Sequence, residues 1–249
     1  MAAALGRIVA VAGASLRDVL RRPGALVALT IAATVVAFTP AVSSRALDAA
    51  DALAPRLTVS TIHLYAVLLA AWAGPTMTAP GTPLGHTAEV AVTALRPLEY
   101  LLGRAAGLLT AIALHAVALV TVGILATAAA GLAPGAMLSF APATAVLQAA
   151  PILALGALLG AVWSGTLAMI LILLVIVATR LAPPGLTESP LYAALLPDVE
   201  RLAPGPSGPP AGGVLGIAAT AAATQALGYL LLASVALSRE SRATHETDG

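Results

Sequence analysis

The run LLGRAAGLLTAIALHAVALVTVGILATAA, residues 101–129, decides the fold. Apart from Arg104 and His115 it is made of aliphatic residues, Ala, Gly and Thr. A helix rising about 1.5 Å per residue crosses a hydrocarbon core about 30 Å thick in roughly 20 residues, so this run is more than long enough for one crossing. It lacks the alternation over about ten residues that a membrane β-strand requires.

Reading outward, similar runs lie at residues 24–42, 58–79 and 213–237. The stretch 144–182 is too long for a single crossing and is broken at Trp163-Ser164-Gly165, which gives spans at 144–162 and 166–182. Composition agrees. The chain of 249 residues is 59% hydrophobic and 9% charged, with a mean hydropathy of +0.98, whereas a soluble globule carries roughly a quarter charged residues. The expectation is an all-α polytopic membrane protein with six transmembrane helices in a single transmembrane domain over residues 1–249.

Before the first span, Leu5, Ile8, Val9, Ala12, Leu16, Val19 and Leu20 recur at helical spacing, with Arg17, Asp18, Arg21 and Arg22 between them. This pattern predicts a helix on the membrane surface over residues 1–23; a solvated basic N-terminus is the alternative. Arginines set the expected orientation. With the N-terminus inside, Arg7, Arg17, Arg21, Arg22, Arg96, Arg104, Arg239 and Arg242 fall inside and Arg45, Arg56, Arg180 and Arg201 outside, in keeping with the positive-inside rule. Both termini are then cytoplasmic, 80–100 is a cytoplasmic loop, 183–212 an external one, and 238–249 a cytoplasmic tail.

The loop holds TALRPLEYLLGR, where Arg96, Glu99 and Arg104 crowd together, preceded by GHTAEVAVTAL with one acid, Glu89. The latter predicts a short helix along the membrane, stopped by Pro97. Within or near the spans stand His63, His115, Gln148, Gln225 and Tyr229. His115, midway along its span, is the candidate pathway residue, with a neutral histidine bonded to a neighbouring helix as the alternative. His63 is placed near the outer interface. The Gly103/Gly107, Gly156/Gly160 and Gly212/Gly216 pairs are expected to serve close helix packing.

All twelve basic residues are Arg, so a Gly-Lys-Ser/Thr phosphate loop is excluded; absent cysteine excludes thiolate metal sites and cysteine nucleophiles. No Gly-x-Ser-x-Gly elbow or His-Glu-x-x-His site is present, and no pair of carboxylates lies within a span. The expectation is a chain that is not itself an enzyme, with no cofactor, no metal and no nucleic-acid partner.

LRDVLRRPGALVALTIAATVV, GHTAEVAVTALRPLEYLLGRAAGLL, GALLGAVWSGTLAMILILLVIV, and LYAALLPDVERLAPG with the later SVALSRESR follow one another in the order and spacing of a known family. In these the chain resembles the membrane subunits, or permeases, of ABC-2 type transporters. It departs from the family in that the Gly-Thr pair often found right before the acid is here Gly81-Thr82, displaced from Glu89, and the usual cluster of acids is a single residue. The resemblance implies an amphipathic elbow helix carrying Arg17, Arg21 and Arg22, and a cytoplasmic coupling helix. It implies as partners a separate ATP-binding subunit, a second permease chain and the lipid bilayer. It implies a coupling role for Glu89, facing the ATPase, and for Arg96, Glu99 and Arg104, holding the coupling helix to the bundle and to lipid headgroups. An exporter reading and residence in a bacterial inner membrane go with it. An ATP-independent carrier or channel, or a structural membrane protein, is the alternative.

Overall fold

The computed structural model describes residues 2–45, 50–78, 96–132, 135, 137–181 and 212–247. The expected short helix with Glu89, and most of the external segment 183–212, lie outside the described residues. The elements are α1 (Ala2–Arg21), α2 (Pro23–Ser43), α3 (Ala50–Ala73) followed by a 3-10 turn (Pro75–Met77), α4 (Pro97–Ala129), α5 (Met137–Gly160), α6 (Gly165–Leu181) and α7 (Gly212–Thr247). Five of these described helical stretches are long and apolar enough to cross a membrane, and the apolar stretch Gly165–Thr179 of α6 is shorter. The protein is an all-α, multi-span membrane bundle.

Local chemistry explains the element ends. Pro occupies the first turn of α2 and of α4, where its missing N–H is no loss, and the residues before them, Arg22 and Arg96, are extended at ψ 122° and 139°. Between α5 and α6 the chain turns at residues 161–164, where Trp163 N–H still donates to the Leu159 carbonyl at 2.9 Å. The fifth helix begins at Met137, seven residues before the apolar run read from the sequence, because Pro142 is accommodated inside the helix.

Hydrocarbon offers no hydrogen bonds, so hydroxyls on the spans turn inward to their own helix. Thr30, Thr34, Thr39 and Ser43 donate to carbonyls one turn earlier along α2, at 2.9 to 3.0 Å. Thr61, Thr110 and Thr121 do the same on α3 and α4. Meanwhile Leu26, Val27, Ile31, Val35, Phe38 and Val42 cover the outside of α2 with exposed apolar surface.

Helix α3 is one of the two most buried spans, with α5. Its residues Val59, Ile62, Ala66, Ala70 and Ala73 are buried along one line, and it packs on α2, α4 and α5. Thr58 lies against Gly123, Tyr65 against His115, and the Met77 carbonyl near Arg104, so α3 and α4 are antiparallel. His63 meets Thr144 and Thr78 meets Ala157, so α3 and α5 run in the same sense.

Two glycine pairs set close approaches. A Cβ on Gly156 would stand 2.9 Å from the Gly74 Cα, and one on Gly160 2.5 Å from the Pro75 carbonyl oxygen, which leaves the 3-10 turn backbone directly on α5. A Cβ on Gly103 would stand 2.8 Å from Val11 Cβ, and one on Gly107 would run into the Ala12 carbonyl. Helix α1 therefore lies along the first turns of α4, in the same direction, with Ser15 and Val19 buried. Part of the amphipathic pattern of α1 is met by a protein neighbour, because Gly103 and Gly107 open a groove for it.

Gly107→Val must push α1 away from α4. Overpacking of this kind costs about 1–3 kcal/mol, or roughly a tenfold shift in the docked fraction. In a Ser15→Cys background, the natural chain having no cysteine, maleimide labelling of the introduced thiol is expected to speed up about tenfold; an unchanged rate would show that α1 is not held there.

Candidate functional site

The described charged residues picked out in the sequence gather at one end of the bundle, where α1 lies along the first turns of α4 and α3 finishes. Among the described ones each has a distinct setting. Arg104, one turn past Tyr100 on the face of α4 that carries Leu101 and Leu108, is 2% exposed. Its guanidinium donates to the Met77 carbonyl at 3.2 Å and to the Tyr100 hydroxyl, and lies 5.4 Å from the centre of the Tyr100 ring. Arg104 is thus held within the bundle, one of the two attachments expected of Arg96, Glu99 and Arg104 together. A buried guanidinium needs acceptors, and the Met77 carbonyl in the 3-10 turn supplies one.

Glu99 stands in the first turn of α4, where its charge suits the positive end of the helix dipole. Arg7 of α1 grips it with two hydrogen bonds, Nε to Oε2 at 3.0 Å and Nη2 to Oε1 at 3.1 Å. Arg96 is exposed just before Pro97. Arg22 donates to Asp18 one turn back at 3.2 Å and stacks over the Trp72 ring of α3 at 5.4 Å. Arg17 and Arg21 are exposed. Thr78, the last described residue before the loop, donates its hydroxyl to the Ala157 carbonyl of α5 at 2.6 Å.

Segment 79–95 thus departs from a point fastened to α4 and α5 and returns to a helix start fastened to α1. Glu89 lies within that segment and outside the described residues.

A second set of polar groups lies at mid-depth. His115 is 3% exposed, and its Nδ1 shares a hydrogen bond of 2.8 Å with the Tyr65 hydroxyl. Its Nε2 is buried with no partner among the described residues. His63 is 6% exposed, with Nε2 2.9 Å from Thr144 Oγ1, so it is a buried helix-to-helix contact. Gln148, one turn beyond Thr144, is also buried. Both pairs radiate from α3, one to α4 and one to α5. No group of three or more His, Cys, Asp or Glu able to hold a metal occurs among the described residues.

Tyr65, Tyr100, Thr144 and the Arg7–Glu99 pair were not picked out from sequence. The i, i+4 spacing of Tyr100 and Arg104 was a legible signal; the other contacts join residues 50 or more positions apart. Among models of protein families and among curated proteins, none matches this chain.

Removing Arg104 orphans buried acceptors, at about 1–3 kcal/mol, whereas the partly exposed Arg7–Glu99 pair is worth under about 1 kcal/mol. Thermal unfolding in detergent is expected to fall clearly for Arg104→Met and little for Glu99→Gln; the reverse order would place Arg104 at the surface.

Proposed function

We propose that this chain is the membrane-spanning permease subunit of an ABC-2 type transporter, an exporter in a bacterial inner membrane with both termini cytoplasmic. One observation carries the reading beyond the sequence resemblance: both ends of the segment that resembles the family's coupling helix are fastened to the bundle, by Arg104 and Thr78 on one side and by Glu99 on the other.

In this reading the ATP-binding subunit is a separate protein that docks on the cytoplasmic loop through Glu89, with Arg96 beside it. Closure of the ATPase dimer pushes the loop, and the push enters α3 at Met77, α5 at Ala157 and α4 at its first turn. Close backbone contact at Gly74 and Gly156 passes the motion on with little slack, since packed backbones cannot be compressed. A second permease chain completes the pathway. The chain supplies no chemistry of its own and works through its partner's ATP hydrolysis.

Purification from the native membrane in mild detergent is expected to recover a stoichiometric ATP-binding subunit. Reversal of both charges, Glu89→Arg with Arg96→Glu, is expected to leave insertion intact and to abolish transport-linked stimulation of ATPase activity. Recovery of the chain with no nucleotide-binding partner across several detergents would overturn the proposal.

The buried polar contacts around α3 favour a second reading, an ATP-independent carrier in which His115 lines the path. A structural tether between transmembrane helices is worth about 0.6 kcal/mol in a double-mutant cycle. Under the permease reading, Tyr65→Phe and His115→Leu couple by about that amount and transport persists. Loss of all transport in His115→Leu protein that remains folded, with no ATPase partner bound, selects the carrier.

A further inference from the structure

A furrow runs along the outside of the bundle between α2 and α3. It consists of a cavity of about 520 Å³ that begins at Gly24 and Trp72 and a second of about 390 Å³ reaching Val42 and Leu57. Val35 and Thr61 line both, so the furrow is continuous. One wall is low because α2 places Gly24, Ala28 and Ala32 there at four-residue intervals; Leu64 and Leu68 form the other.

The wider part extends from Gly24 to Val35, about 16 Å along α2, which is close to half of a hydrocarbon core about 30 Å thick. Its polar atoms already have partners. Thr61 donates to the Leu57 carbonyl and Tyr65 is bonded to His115. An occupant therefore meets hydrocarbon only.

The end of this wide part is charged. Arg22 lies over Trp72 at the mouth, and the last turns of α1 leading there carry Arg17 and Arg21 against one acid, Asp18. The positive excess stands at one end of an apolar slot whose wide part is about one leaflet deep. We infer that the α2–α3 furrow holds an anionic phospholipid of the surrounding bilayer, with an acyl chain along Ala28 and Ala32 and its phosphate against Arg22. This needs only that the bundle sit in a membrane and does not rest on the transporter reading. Trp72, flanked by the headgroup charge and the chain, marks the interface, where tryptophan is favoured.

The chain has two tryptophans, so Trp163→Phe leaves Trp72 as the single reporter. The protein is reconstituted in phosphatidylcholine vesicles containing a minority of phosphatidylglycerol, with one lipid or the other brominated in its acyl chains, and quenching of Trp72 is read. Phosphatidylglycerol is expected to be preferred about fivefold at this site, the effect of one arginine near the surface. Arg22→Gln is expected to bring the ratio to about one, and Ala28→Leu, which fills the furrow, to reduce quenching by either lipid. A ratio of one in the unaltered furrow, or quenching indifferent to Ala28→Leu, would overturn the inference. So would efficient disulfide formation between Ala28→Cys copies in the membrane, which would mean that a second copy of the chain covers the furrow.

Discussion

The interior of a bilayer supplies no hydrogen-bond partners, and the structure depends on that constraint throughout. Helices satisfy the backbone. Hydroxyls on the lipid-facing spans fold back on carbonyls of their own helix. Polar side chains that cannot do so locally, His63, His115 and Arg104, point into the bundle and find partners on other helices. Helix α3 carries His63, which meets Thr144 of α5, and supplies Tyr65 to His115 of α4, while the turn that follows it supplies a carbonyl to Arg104, so the same constraint ties α3 to both neighbours.

Close packing does the rest, because lipid tails are as apolar as the helices and give little drive for one helix to bind another. Where Gly74 meets Gly156 and where α1 settles over Gly103 and Gly107, backbones approach so closely that dispersion contacts become dense. These two contacts lie at the same end of the molecule as the arginines.

Helix existence was legible in residues 101–129 and in the other apolar runs, because twenty or more residues with almost no charge have few alternatives in a membrane. The turn at 161–164 was legible too. Boundaries were less so. Pro142 and Pro55 sit inside helices, since membrane helices tolerate proline where neighbouring groups make up the lost bond. Of the site, the local spacing of Tyr100 and Arg104 was on the page, but the depth of Arg104 was not: a residue at the start of a span faces headgroups or bundle depending on a rotation of some 100° per residue that its neighbours along the chain do not reveal.

Sequence by itself determined that this is an all-α protein of several membrane spans, because apolar length against bilayer thickness depends on nothing beyond the chain. It also determined where charge is concentrated. Tertiary structure alone decided that Glu99 is held by Arg7, that Arg104 is buried on the Met77 carbonyl, that His63 belongs to the interior, and that α1 lies in the groove over two glycines. Each of those facts turns on which faces of distant helices meet, and that is settled by steric fit between backbones and by partners for buried polar groups, neither of which is written in any local stretch of residues.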